Sequence, residues 1–195
     1  MNLRRCNNVL TAVVVGVALY MIAAPMWPWL KWQLAKGRPA PVYSGEIAAA
    51  VGVKAPKPVP DDNRIVIPSA RIDQPILEGN NLALIDNGGS WHKPLNTASP
   101  KDSGNTVIIG HRFTYTNPEG AFYNLDKVKV GDKLALYWQK EELVYEVTEI
   151  TTVAPTAVEV ERNSTDRRLT LYTCTPLVTA SNRLVVIAKP VEKKS

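Results

Sequence analysis

The feature that most constrains this chain is a succession of short β-type runs filling residues 63–190. Ile65 and Ile67 alternate with Arg64 and Val66, and Ile72 and Ile76 mark a second run beyond a break at Pro68-Ser69. TVIIG, KLALYW, the long alternating ELVYEVTEITTVA, LTLYT and RLVVIA follow, separated by segments rich in Pro, Gly, Asn and Asp. Runs of this length and composition read as strands, and the residues between them as turns. Helical turns are expected only in NLALIDNGG, ended by Gly88 and Gly89, and in AFYNLDKV; GSWHKPLNTASPKDSGN reads as a polar loop. The order shows no strand–helix–strand rhythm, which argues against a doubly wound sheet. It predicts an all-β domain of seven or eight strands, closed or nearly closed into a barrel.

Ahead of that domain lies VLTAVVVGVALYMIAAPMWPWL, an uncharged, mostly apolar stretch. About 20 residues at ~1.5 Å each span roughly 30 Å, the thickness of a bilayer core. Trp27, Trp29 and Trp32 gather at one end, where indole rings favour the membrane interface. A cleaved signal peptide is the competing reading, but Ala23-Ala24 is followed by Pro25, a poor context for cleavage. The expected layout is a tail over 1–8, an anchor over 9–30, a Pro- and Ala-rich spacer over 31–62, the β-barrel domain over 63–191 and a polar tail over 192–195. Lys and Arg lie on both sides of the anchor, so charge alone leaves its orientation open.

The formal charge is +5, and its location matters for partners. Residues 1–60 hold seven Lys/Arg against one acid, while residues 61–195 hold sixteen against seventeen. The folded part is therefore nearly neutral, and no nucleic-acid partner is expected. Of the two cysteines, Cys6 precedes the apolar stretch and Cys174 lies far beyond it. No disulfide and no multi-cysteine metal site is expected.

Cys174 ends one run and Arg183 opens the next, with TPLVTASN between them. His111 follows directly on TVIIG. Run ends from distant parts of a chain gather at one rim of a barrel, so a thiol, an imidazole and a guanidinium can meet there. A cysteine nucleophile needs a base or cation to raise its thiolate fraction, and the imidazole can protonate a leaving amine. A fixed guanidinium can hold the oxyanion that forms. A buried structural cysteine and a surface arginine are the plainer reading of the same residues, and His92 is the alternative base.

These residues also carry a family resemblance. TLYTC at 170–174 with Arg183 in NRLVVIAK resembles the TLxTC signature of sortases. NTVIIGHR at 105–112 is similar to the segment bearing the sortase histidine, and FYNLDKVKVGDKLALY and RIVIPSARIDQPILEG resemble further parts of that domain. The resemblance covers roughly residues 63–190. It implies a closed eight-stranded β-barrel with one or two short helices, preceded by a transmembrane helix. Cys174 would be the nucleophile, His111 the general acid/base and Arg183 the oxyanion partner. His92, Thr173 and Thr175 would contact substrate, His92 by analogy with its segment.

The implied activity is that of a membrane-anchored cysteine transpeptidase or peptidase. Such an enzyme cleaves an LPxTG-like signal near the C-terminus of a secreted protein. It passes the acyl group to an amine, either a cell-wall precursor or a pilin-like lysine. The barrel would then lie on the extracytoplasmic side of a single-pass anchor, and no cofactor is implied. Residues 31–62 lack the aspartate-proline-aromatic lid of pilin-assembling members, and the sequence closes on the polar VEKKS, although TCTP resembles that group. The pattern is nearest to lidless members with a single anchor. Glu159, Glu161 and Asp166 read as a solvated face and no metal is expected; loops 154–167 and 175–182 are expected to border the groove. Two alternatives stand beside this reading. One is an anchored barrel that binds with an idle cysteine. The other is an L,D-type transpeptidase, whose His lies only a few residues before its Cys.

Overall fold

The computed structural model describes residues 3–35, 40, 42–53, 56–94 and 97–191. The expected polar tail over 192–195 lies outside the described residues. Eight strands form the domain: β1 Arg64–Ile67, β2 Ile72–Leu77, β3 Ser90–His92, β4 Asn105–Ile109, β5 Lys133–Trp138, β6 Glu141–Val153, β7 Arg168–Thr175 and β8 Asn182–Pro190. They close into a barrel in the order β1-β2-β3-β4-β7-β8-β6-β5, with β5 returning to β1. Most neighbours are antiparallel; β2–β3 and β4–β7 are parallel.

Period-two patterning decides what fills the barrel. Ile65 and Ile67 of β1, Leu134, Leu136 and Trp138 of β5, and Leu169 and Leu171 of β7 point inward and meet around Phe122 and Leu125. In β6, Tyr145 and Val147 face the same core, and a bulge between Val147 and Glu149 resets the alternation so that Ile150 also packs against it. β4 is buried along its whole length because both of its faces are covered. Ile108 enters the barrel core, while Val107 and Ile109 pack outside with Ile85 and Trp91. That double cover explains the uninterrupted apolar run.

β3 was expected to be part of a polar loop. Its three residues instead bridge β2 and β4, and the barrel would stay open without them. The segment SWH is too short for alternation to show in sequence. The helical turns of NLALIDNGG form a 3-10 helix, Leu82–Asn87, and AFYNLDKV supplies a single 3-10 turn, Leu125–Lys127.

The N-terminal helix, α1 (Leu3–Ala35), is longer at both ends than the expected anchor and takes in most of the expected tail. It is long and apolar enough to cross a membrane. Its C-terminal end lies against the loop that follows β4: Trp27 Nε1 donates to Glu119 Oε1 at 2.9 Å, and Lys31 pairs with the same carboxylate.

The spacer differs more clearly from expectation. Residues 42–53 carry a short helix, α2 (Glu46–Val51), docked on the outside of the barrel. Val42, Tyr43, Ile47 and Ala48 cover Val66, Ala135 and Tyr137, the outward-facing residues of β1 and β5. Glu142 fixes this contact by accepting from the backbone N–H groups of Glu46 at 2.6 Å and Ile47 at 3.1 Å. Gly45 suits this position because its φ of 145° is a backbone conformation that residues with a side chain rarely adopt. The apolar residues were present in the sequence, but four positions scattered through an Ala/Pro-rich stretch show no period.

Candidate active site

Cys174 is the penultimate residue of β7, and Arg183 is the second residue of β8. The antiparallel register sets them directly opposite one another. Alternation along β7 turns Tyr172 and Cys174 to the outer face, away from the core-facing Leu169 and Leu171. There they line a groove of about 200 Å³ with Arg183 and His111, over an apolar wall of Leu82, Ile85 and Ile109.

Several hydrogen bonds set the backbone that delivers His111 to this groove. Gly110 N donates to Tyr172 O, Thr173 Oγ1 donates to Gly110 O at 2.8 Å, and Phe122 N donates to His111 O at 3.0 Å. The loop folds back so tightly that a Cβ on Gly120 would lie 2.4 Å from His111 O. The imidazole is exposed enough to meet substrate, and its Nε2 lies 2.8 Å from Asp86 Oδ1. Arg183 is steadied by its own turn, donating from Nη1 to Ala180 O at 3.2 Å and Asn182 O at 3.0 Å. Cys174 is a free, half-buried thiol.

The three expected catalytic residues therefore share one groove; of the three expected substrate-contacting residues, His92, Thr173 and Thr175, Thr173 alone lines it. His92 is buried with its ring turned into the barrel, edge-on to Trp138 at 5.3 Å between centroids, and its Nε2 is bonded to Ala98 O at 3.1 Å. Its neighbour Trp91 takes the outward position, so the expectation that His92 lies near substrate fails on the parity of β3. Thr173 borders the groove, but its buried hydroxyl is engaged by Gly110. Thr175 Oγ1 accepts from Arg112 Nη1 at 3.0 Å. Arg112 also pairs with Asp126 and donates to Tyr123 O, so it ties the end of β7 to the loop after His111.

Other residues of the site had no distinct signal in the sequence. Tyr172 OH donates to Glu161 Oε1 at 2.6 Å, and Glu161 also pairs with Lys93. Burial first, and then the bond to this carboxylate, hold the Tyr172 phenol well above its ordinary pKa, so it stays a neutral donor beside Cys174. Glu161 is thus not part of a solvated face. It lies in the 3-10 helix Val158–Glu161, which Asn105 fastens to the barrel by donating to Val160 O and Arg162 O. Thr170 in turn donates to Asn105 Oδ1 at 2.7 Å. The long β6–β7 connection is thereby held against the strands that carry the site.

A thiol, an imidazole and a guanidinium converging on an open groove with an apolar wall suit acyl transfer from an extended peptide. A sortase domain model matches residues 65–191, which includes the whole groove. The chain belongs to the sortase family. Among curated relatives it is 32% identical over 142 residues to Sortase SrtE1 of Streptomyces coelicolor, a match covering 66% of this chain. The chain spans only 40% of the length of that relative. Among solved structures, a lid mutant of Sortase A from Corynebacterium diphtheriae superposes with a TM-score of 0.62 at 31% identity, covering 69% of this chain and 72% of that one. Clostridium perfringens sortase C, solved with the C-terminal cell wall sorting motif, gives 0.59 at 29% identity over 66% of this chain and 69% of its own. The closed eight-stranded barrel is the fold shared with these sortases.

Proposed function

We propose that this sortase is a membrane-anchored cysteine transpeptidase acting on secreted proteins with an LPxTG-like signal near the C-terminus. The observation that carries the reading is the cross-strand pairing of Cys174 with Arg183 in a groove that also holds His111. Cys174 Sγ attacks the scissile carbonyl carbon, and the Arg183 guanidinium receives the oxyanion. His111 protonates the departing amine as the C–N bond breaks, leaving a thioester on Cys174. An incoming amine, from a cell-wall precursor or a pilin-like lysine, gives a proton to His111 and displaces the thiolate. A new amide forms and the cysteine is restored. The sorting motif bound by the Clostridium perfringens relative supports the substrate class. The length and apolar character of α1 support a single-pass anchor, and a substrate class of secreted proteins requires the barrel to lie outside the cytoplasm.

The test incubates the full-length chain in detergent with a fluorogenic LPxTG-type peptide and an amine acceptor. Product should form, and a mass increase equal to the acyl fragment should appear on Cys174 when the acceptor is withheld. Cys174→Ala should abolish both. Product formation without that adduct, or product surviving in Cys174→Ala, would overturn the thioester route; no product from any acyl donor would leave a barrel that binds with an idle cysteine.

A further inference from the structure

We infer that Asp86 is a positioning residue for His111, holding the imidazole as the Nε2–H form so that proton exchange with the substrate runs through Nδ1. The inference rests on the role proposed for His111 above. Its basis is the 2.8 Å approach of His111 Nε2 to Asp86 Oδ1. A carboxylate offers only acceptors, so the hydrogen of this bond belongs to the ring nitrogen. Nδ1 is then the nitrogen left to take and return a proton.

The placement of Asp86 is built in by its neighbours. It follows Ile85, which is only 4% exposed and packs with Trp91, Val107 and Ile109. Its 3-10 helix is started by Asn81, whose Oδ1 accepts from Ala83 N at 2.9 Å, and is ended by Gly88 at φ 87°. The same helix presents Leu82 and Ile85 to the groove. One apolar cluster therefore joins the wall carrying Asp86 to β4, the strand that leads into His111. The contact itself is open to water, with the Asp86 side chain 67% exposed. Exposed pairs contribute little to stability, so Asp86 acts on the orientation of the ring and not on the persistence of the fold. The effect resembles that of any group that fixes a catalytic histidine through its second nitrogen.

The experiment has two arms on the full-length chain in detergent. The first reads the imidazole tautomer by nitrogen NMR; only His92 and His111 contribute, and His92→Gln assigns them. His111 should hold its hydrogen on Nε2 in the wild type and distribute it over both nitrogens in Asp86→Ala. The second arm is kinetic. Asp86→Ala should lower kcat about 10-fold, less than the roughly 10²–10⁴-fold that general acid–base catalysis supplies because the imidazole itself remains, with KM and the thermal midpoint unchanged. Asp86→Asn, which keeps an acceptor oxygen, should recover part of that loss. An unchanged tautomer in Asp86→Ala, or a kcat within twofold of wild type, overturns the assignment. If the wild type turns over no peptide, the transpeptidase reading fails and the tautomer alone decides the role of Asp86.

Discussion

Cys174 and Arg183 are direct cross-strand partners, fixed by the β7–β8 register and not by the loop between them. Their separation is therefore set by strand geometry, and the chemistry at Arg183 can be probed without disturbing the barrel. In the proposed mechanism a planar fork of donors is needed, which lysine cannot supply. Arg183→Lys should lower kcat/KM about 100-fold or more, the scale of losing an oxyanion donor, with acyl-enzyme formation slowed in stopped-flow. Retention of most of the turnover by the lysine variant would remove Arg183 from that role.

His92 should behave as part of the core. Its ring packs on Trp138 and satisfies Ala98 O, so His92→Ala leaves a cavity and an unpaired carbonyl. A loss of about 2–3 kcal/mol is expected, measured by urea denaturation. KM for the peptide should stay within about twofold, the scatter of a change that touches no substrate contact. A raised KM at unaltered stability would return His92 to the groove.

Glu142 is the clasp of the N-terminal segment. Glu142→Ala frees the Glu46 and Ile47 N–H groups and the Tyr137 hydroxyl, which Glu142 also accepts from at 3.1 Å. The expected cost is about 2 kcal/mol, seen as a fall in thermal midpoint of about 4–8 °C. Limited proteolysis should also cut faster within residues 42–53. An unchanged cleavage rate would mean that the apolar contacts alone hold α2.

Tyr145 gives a pH test of the core. Burial pushes its phenol up to about 12, against the opposing influence of Arg167, and the hydroxyl donates to Pro100 O at 3.2 Å. A raised folded-state pKa means that the contribution is complete below the unfolded value of about 10 and is lost as pH climbs towards 12. Urea midpoints measured at pH 9 and pH 11 should therefore fall further for wild type than for Tyr145→Phe. Equal declines would show that Tyr145 titrates alike in both states.

Much of this architecture is legible in the sequence. Alternation at Ile65 and Ile67, the doubly covered run of β4 and the pair LTLYT and RLVVIA fixed the fold class, because a period of two leaves its mark wherever one face is buried. Cys174 and His111 were visible as rare residue types at strand ends, and Arg183 as a cation opening the strand after Cys174. β3 was missed because three residues cannot display a period, and with it went the parity that turns His92 inward.

Asp86, Arg112 and Glu161 were illegible for a different reason. Each is an ordinary charged residue whose partner lies 25, 63 and 11 positions away in the chain, at His111, Thr175 and Tyr172. The same holds for the docked segment 42–53, whose apolar residues acquire meaning only against the outer faces of Val66, Ala135 and Tyr137. By itself, the sequence determined a barrel of short strands behind an apolar helix and the three residue types able to perform acyl transfer. Tertiary structure alone decided which side chains face the groove. Parity follows from strand register, and register is set by contacts between segments that the linear order keeps apart.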